Sequence, residues 1–182
     1  SLADIQIKGT AKLDGFAGYD DGKKLYTRGD GNKGSDISRV FERGLGVFNN
    51  SERGQGPGEI VVKRSYFEKY LSNHFEYPRN FQASLIKEKE LDRFAIDAIS
   101  SKAALFVPFN QLPHWLGSID EFRKQFLDVV SQLEGGVDFD IDGVVFEIVN
   151  PELKNHMGSN RKFHRWQIAF KENKEKAQVK VL

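Results

Sequence analysis

Lys12 is the first residue of this sequence whose setting suggests chemistry, because it stands two residues before Asp14 and three before Gly15 in the motif KLDG at 12–15. A lysine amine becomes a nucleophile only when it is deprotonated, and burial or neighbouring cations lower its pKa enough to allow that. Gly15 would let a backbone or a ligand approach closely. On its own, so short a motif is typical of a surface lysine at a strand end, so the nucleophilic interpretation depends on the rest of the chain.

A strand-like segment near the C-terminus also places a cation in a defined setting. In RWQIAFK at 165–171, the two-residue period of a strand puts three large apolar residues on one face, which suits a core. Gln167, Ala169 and Lys171 share the other face, where the small alanine leaves room beside the lysine. A solvated edge strand would show almost the same pattern, so both interpretations of Lys171 stay open.

Six short motifs follow one another in a defined order along the chain. They are KLDG at 12–15, TRGDG at 27–31, GEI at 58–60, PRN at 78–80, DIDGVV at 140–145 and RWQIAFK at 165–171. This set resembles the nucleotidyltransferase motifs of the covalent ligase superfamily. It is most similar to the adenylation domain of NAD-dependent DNA ligases, from about residue 10 to the C-terminus.

The resemblance implies a fold, a reaction and partners. It implies an α+β domain of antiparallel β-sheets flanked by helices, the DNA ligase/nucleotidyltransferase fold, over residues 1–182. Lys12 would attack the α-phosphorus of the AMP half of NAD, expel nicotinamide mononucleotide and form a lysyl–AMP phosphoramidate. AMP would then pass to the 5′-phosphate of nicked double-stranded DNA, with Mg²⁺ as the expected metal cofactor. We expect a monomeric, cytoplasmic protein without a membrane partner.

The resemblance also assigns roles to residues at the motif positions. The implied catalytic residues are Lys12, Asp14 and Asp142. The implied nucleotide-binding residues are Thr10, Arg28, Glu59, Arg79, Glu147 and Lys171. Within that set, Arg28 would contact the nucleotide, Glu59 would hold the ribose and Lys171 would contact a phosphate.

Three positions differ from the family pattern. Thr10 stands where these ligases have a glutamate near the adenine, and Pro57 stands where an arginine precedes GE. Glu147 replaces a second phosphate-contacting lysine and so reverses a charge beside an anionic phosphate. It could pair with Lys12 or Lys171, help to place a metal, or mark a weakened enzyme.

Two alternative functions remain open, and one alternative site is disfavoured. Thr10 before Lys12 favours an ATP-dependent DNA or RNA ligase, and Glu147 favours a non-catalytic, ligase-like nucleotide-binding module. DFDIDG at 138–143 fits the opening of a calcium-binding EF-hand loop, but Val149 stands where that loop needs a glutamate. We therefore expect no calcium site there.

Composition excludes several classes of protein. The chain has 182 residues, a formal net charge of +1 and no cysteine. The charge provides no overall attraction for polyanions, so a nucleic-acid surface would require local charge segregation. The missing cysteines exclude disulfides and thiolate metal sites, as suits a reducing cytosol. The start has no signal-peptide pattern, and no apolar run is long enough to span a bilayer. We expect the chain to be a piece of a longer ligase, with a nicotinamide-binding region before it and an oligonucleotide-binding barrel after it.

Strands and helices are mixed along the chain without a βαβ rhythm, which favours an α+β domain built on antiparallel sheets. GFAGY and KKLYTR flank DDG at 20–22, a pattern typical of a β-hairpin. We expect this hairpin to present Lys12. The C-terminal part carries three strand candidates, which are GVVFEIV, RWQIAFK and AQVKVL.

Helices are predicted from their N-terminal signals. Ser65 with Glu68, and Ser118 with Glu121, each have the spacing of a capping box. The second box opens the strongest helical pattern, which two glycines end at 135–136. LDRFAIDAIS at 91–100 repeats apolar residues at helical spacing and predicts a further helix.

Overall fold

A computed structural model describes residues 4–27 and 34–149, together with the backbone of residues 167–172 and 177–181. The strands are β1 Gln6–Leu13, β2 Phe16–Asp20, β3 Leu25–Thr27, β4 Gly46–Val47, β5 Gly56–Val62, β6 Ala104–Pro108, β7 His114–Ser118, β8 Ile141–Ile148, β9 Gln167–Glu172 and β10 Ala177–Val181. The α-helices are α1 Arg39–Glu42, α2 Arg64–Tyr66, α3 Pro78–Gln82, α4 Arg93–Ser100 and α5 Ile119–Gly135. A π-helical turn, Phe67–Leu71, continues α2.

The chain divides into two compact units, each with one five-stranded sheet. Unit 1 comprises Ser1–Lys12, Pro113–Val137 and Ile141–Leu182, and unit 2 comprises Leu13–Leu112 and Asp138–Asp140. The division falls within β1, directly after Lys12.

The sheet of unit 1 has the strand order β10-β9-β8-β1-β7. β7 pairs antiparallel with β1, and β9 pairs antiparallel with both β8 and β10. The three strands predicted for the C-terminal part are therefore confirmed. In the core of the unit, buried residues of α5 join buried residues of β1 and β8: Val129, Val130, Leu133, Ile7, Val144 and Phe146.

Helix α5 begins as its sequence predicts. The Glu121 N–H donates to Ser118 Oγ at 3.1 Å, and the Ser118 N–H donates to Glu121 Oε1 at 3.3 Å. This reciprocal pair satisfies two N–H groups that the first turn of a helix leaves without a partner. Gly136 follows the last helical residue, so both ends of the helix are confirmed.

Unit 2 has a mixed sheet with the strand order β3-β2-β5-β6-β4. β2 and β3 form the predicted antiparallel hairpin, and Gly22 adopts a φ of 95° in its turn. The short β4 runs parallel to β6, in a pair of only two residues. The unit is α+β as predicted, but this parallel pair corrects the expectation of purely antiparallel sheets.

The helices of unit 2 confirm the helix predicted within residues 91–100 and correct one predicted N-terminus. The Asp92 carboxylate accepts from the Ala95 N–H at 2.9 Å and begins α4 as an N-cap. Ser65, in contrast, lies inside α2, and both its N–H and its hydroxyl donate to the Asp138 carboxylate. The predicted box of Ser65 and Glu68 is wrong because a residue 73 positions away binds the serine instead.

None of the helices in the described part of the chain has the length and apolar character needed to cross a membrane.

Candidate active site

Lys12 is exposed and lies at the next-to-last position of β1. Thr10 precedes it on the same face and is half-buried, whereas Ala11 and Leu13 point to the other face and are buried. Lys12 therefore belongs to β1 rather than to the β2–β3 hairpin, which corrects the expected origin of this residue. The exposure of Lys12 allows its amine to reach a substrate, but an ordinary solvated lysine would be exposed in the same way.

β1 lies beside β8, which carries Asp142 and Glu147. Asp142 is exposed at the second position of β8. Glu147 is half-buried and alternates with Val144 and Phe146, whose side chains are buried in the core. Thr10, Lys12, Asp142 and Glu147 thus come from two neighbouring strands of one sheet.

The possible ion pair between Glu147 and Lys12 is not formed. Among the ion pairs within residues 4–27 and 34–149, none joins Glu147 to Lys12. Lys171 lies on β9, the next strand of the same sheet, two positions after Ala169, which is in register with Val145. The side chain of Lys171 lies outside the described part of the structure, as does the whole of Arg28.

The segment that follows Lys12 packs against β5 in unit 2. The Asp14 N–H donates to the Asp140 carbonyl at 2.9 Å, and the Asp14 carbonyl accepts from Gln82 Nε2 at 3.0 Å. A Cβ added to Gly15 would lie 2.5 Å from the Ile60 carbonyl oxygen and 3.2 Å from the Glu59 Cβ. Glycine is thus required at position 15, as predicted from its capacity for close backbone approach. The packing brings the KLDG and GEI motifs together.

Glu59 is half-buried in the middle of β5. Its backbone is in register with Ala17 of β2 on one side and Val107 of β6 on the other. The strands on both sides fix the backbone of Glu59, so its carboxylate is attached to a rigid part of the sheet. A rigid strand is a suitable place for a carboxylate that must hold a ligand in one orientation.

The PRN motif forms the start of helix α3. Pro78 is its first residue, and the Asn80 side chain accepts from the Tyr77 N–H at 3.1 Å. Arg79 between them is exposed. Proline and asparagine therefore build the helix terminus, while the guanidinium of Arg79 is accessible to a ligand.

The DFDIDG segment leads directly into a strand, and its first two aspartates contact residues of α2. Asp138 binds Ser65, Arg64 Nε lies 3.3 Å from Asp140 Oδ1, and a strand begins at Ile141. In the described part of the chain, no group of three or more acidic or histidine side chains is placed to hold a metal ion.

Unit 2 also contains an ion pair between a buried carboxylate and a half-buried guanidinium, which the sequence did not reveal. The Asp20 carboxylate is 1% exposed and accepts from Arg53 Nε at 2.8 Å, Arg53 Nη2 at 2.9 Å, the Gly54 N–H at 3.0 Å and the Gly22 N–H at 2.9 Å. The guanidinium of Arg53 also lies 3.6 Å from the centre of the Phe41 ring. We call this arrangement the Asp20–Arg53 clasp.

The clasp affects the acidity of its carboxylate. Burial opposes ionisation of Asp20, but the hydrogen bonds from Arg53, Gly54 and Gly22 outweigh that effect and hold the pKa of Asp20 below its usual value. The only sequence signal for it is an aspartate at the end of a hairpin strand. No local pattern identifies Arg53 as its partner, 33 residues away.

Comparison with known proteins finds relatives over the whole chain. It is 68% identical over 181 residues to the DNA ligase of Ruthia magnifica subsp. Calyptogena magnifica, which covers 100% of this chain and 30% of that protein. It is 70% identical over 178 residues to the DNA ligase of Vesicomyosocius okutanii subsp. Calyptogena okutanii, and 52% identical over 179 residues to that of Shewanella baltica. Each of these two matches covers 98% of this chain and 28% of the relative.

No protein-family model matches the chain. The chain spans about three tenths of the length of the curated relatives named above. It is therefore homologous, from end to end, to one part of proteins named DNA ligase.

Proposed function

We propose that this chain is the adenylation domain of an NAD-dependent DNA ligase and that Lys12 is its covalent nucleophile. The observation that carries the proposal is the 70% identity, over 98% of the chain, with a protein named DNA ligase. The six ordered motifs support the specific reaction. The exposure of Lys12 on β1 is compatible with an amine that must reach a phosphorus atom.

The proposed first step exchanges one bond to phosphorus for another. The deprotonated Nζ of Lys12 attacks the α-phosphorus of NAD, and an N–P bond forms. The bond from that phosphorus to the bridging oxygen breaks, and nicotinamide mononucleotide leaves with the electron pair. The nitrogen loses its remaining extra proton, which leaves AMP attached to Lys12 as a phosphoramidate.

The other motif residues would bind and orient the nucleotide. Phosphoryl transfer depends mainly on positioning and on neutralising the charge of the phosphates. We assign charge neutralisation to Arg28 and Lys171, and contact with the ribose hydroxyls to Glu59. Arg79 is a further nucleotide-binding cation.

Mg²⁺ would supply additional charge neutralisation when it is bound. In nucleotide enzymes it is held by one or two carboxylates together with substrate phosphates, rather than by a cage of protein ligands. The described residues form no such cage. Asp142 is the candidate carboxylate, and Asp14 is a further acidic motif residue.

Nicked double-stranded DNA is the proposed acceptor of AMP. The formal net charge of +1 provides no general attraction for DNA, so binding would rely on local clusters of cations. The lysines of the C-terminal segment are candidates for contacts with DNA phosphates.

A non-catalytic nucleotide-binding module is the second candidate function, and Glu147 favours it. A carboxylate at this position repels a phosphate and would slow the first step. ATP is the second candidate for the nucleotide donor, and the chain would then belong to an ATP-dependent ligase.

The intact mass of the chain after prolonged incubation with Mg²⁺ and either NAD or ATP tests these candidates. Our proposal predicts a mass increase equal to one AMP with NAD and none with ATP. An adduct with ATP alone would replace the donor and keep the reaction. No adduct with either nucleotide would favour the non-catalytic module.

A further inference from the structure

Gln82 is a buried polar residue for which the proposed reaction has no role so far. It is the last residue of α3 and is 2% exposed. Both ends of its amide make hydrogen bonds to backbone groups. Oε1 accepts from the Val62 N–H at 3.0 Å, and Nε2 donates to the Asp14 carbonyl at 3.0 Å.

These two bonds connect three elements of unit 2. Val62 is the last residue of β5, Asp14 lies in the link between β1 and β2, and Gln82 ends α3. Buried amide groups need hydrogen-bond partners, and removing one partner leaves the other group unsatisfied. Gln82 therefore connects, through side-chain hydrogen bonds, the helix that carries Arg79 and the segment that follows Lys12.

Asp14 is held on both sides of its α-carbon. Gln82 binds its carbonyl, and the Asp140 carbonyl accepts its N–H at 2.9 Å. Gly15 is in close contact with the Ile60 carbonyl, where an added Cβ would lie at 2.5 Å. The backbone at 14–15 thus has little freedom to move. Two peptide units separate Lys12 from Asp14, so their α-carbons are at most about 7 Å apart.

We propose that Gln82 is a positioning residue of the adenylation reaction, which fixes the backbone of Asp14 and thereby limits where Lys12 can be placed. The inference rests on the proposed function of Lys12. Small misplacement of a reacting group can reduce a rate by about 100-fold. Gln82 would therefore affect the rate of bond formation rather than nucleotide affinity, since its side chain is buried and bonded at both ends.

The variant Gln82→Met tests this role because methionine has a similar volume and makes neither hydrogen bond. We expect the single-turnover rate of AMP attachment at saturating nucleotide to fall by about 10- to 100-fold. The half-saturating nucleotide concentration should change by less than about two-fold, because nucleotide contacts are retained.

Ser84→Ala is the matched control. Ser84 is also buried, two residues after Gln82, but its hydroxyl donates only to the nearby Phe81 carbonyl. This variant should also lower the melting temperature, whereas its rate of AMP attachment should stay within about two-fold of the parent chain. An equal loss of rate in both variants would assign Gln82 a structural role only and overturn the inference.

Gln82→Glu separates the two hydrogen bonds. The introduced carboxyl can still accept from the Val62 N–H, but once ionised it has no proton for the Asp14 carbonyl. Its rate relative to the parent chain at the same pH should therefore fall as the pH rises through the pKa of that carboxyl. A rate equal to that of the parent chain at every pH from 5 to 9 would contradict a specific role for the bond to Asp14.

Amide hydrogen exchange separates failure of the inference from failure of the proposed function. We expect faster exchange at Asp14 and Gly15 in Gln82→Met and parent-like exchange there in Ser84→Ala. If the parent chain takes up no AMP, the proposed function fails. Independently of that result, unchanged exchange at Asp14 in Gln82→Met would show that Gln82 does not hold this backbone in place. If the parent chain reacts and Gln82→Met reacts equally fast, only the inference fails.

Discussion

Glu147 is the residue that most sharply distinguishes this chain from the family that it resembles. It brings a half-buried carboxylate to β8, the strand beside the one that carries Lys12. Two like charges 4 Å apart repel each other by about 1 kcal/mol even in bulk water, and by more where solvent is excluded. If Glu147 lies near a nucleotide phosphate, it weakens binding.

The variant Glu147→Lys should therefore bind AMP more tightly, by about ten-fold in the dissociation constant, because a repulsion is replaced by an attraction. Isothermal titration calorimetry measures this directly. Glu88→Lys is the control, since it changes the net charge equally at an exposed position of unit 2. Unchanged or weaker affinity in Glu147→Lys would show that the glutamate does not face the phosphates.

Individual residues show where sequence reasoning succeeds and where it fails. The close approach at Gly15 could be predicted because a residue without a Cβ lets a neighbouring backbone approach, and this depends on the residue type alone. The role of Gln82 could not, because its partners lie 20 and 68 positions away and a single buried amide produces no periodic pattern. The positions of Arg28 and of the Lys171 side chain stay predictions.

At the level of elements, the Asp20–Arg53 clasp joins the end of β2 to the loop before β5. It holds the hairpin against the strand that carries Glu59, and four hydrogen bonds satisfy its carboxylate. The pKa of Asp20 is lowered in the folded chain, so its ionised form stabilises the fold. This contribution is complete above the unfolded pKa of about 3.9 and is lost as the pH falls through the folded pKa.

Asp20→Asn should lower the free energy of unfolding at pH 7 by about 2 kcal/mol, because it replaces the charged acceptor of the Arg53 hydrogen bonds with a neutral amide. The variant should also lose less stability than the parent chain as the pH falls below about 4. Urea unfolding at pH 7 and pH 3 measures both effects. Asp21→Asn is the control at pH 7, because Asp21 is exposed and its carboxylate accepts from the N–H groups of Lys23 and Lys24 rather than from a guanidinium. Parallel pH profiles for Asp20→Asn and the parent chain would contradict the clasp.

The elements that could be predicted are those whose signals are local. The capping box of α5 lies within four consecutive residues, and the hairpin depends on one turn. The box at Ser65 was wrong because Asp138 binds that serine. The parallel pair of β4 and β6 could not be foreseen, since a two-residue strand has no period.

At the level of the whole molecule, the chain corresponds to about 30% of the length of its relative from Ruthia magnifica. The motif residues of this chain are proposed to bind the AMP half of NAD, whereas none of its motifs resembles the family's nicotinamide-binding region. Attack by Lys12 requires the leaving group to be aligned opposite the amine, and such alignment can contribute about 7–11 kcal/mol.

We therefore expect this chain alone to bind AMP but to take up AMP from NAD slowly. The test measures the rate of AMP attachment from NAD in this chain and compares it with the rate in the entire Ruthia magnifica relative under the same conditions. Equal rates would show that residues 1–182 contain all that alignment of the leaving group requires.

Identification of the residue that carries AMP tests the central claim most directly. The chain is incubated with NAD and Mg²⁺ until an adduct forms, digested, and sequenced by tandem mass spectrometry, in parallel with Lys12→Ala and Lys8→Ala. Lys8 is the matched control because it lies four residues earlier on the same face of β1. We predict AMP on Lys12 in the parent chain and in Lys8→Ala, and no adduct in Lys12→Ala. An adduct that persists in Lys12→Ala, or that maps to any other residue, would contradict the assignment of Lys12 as the nucleophile.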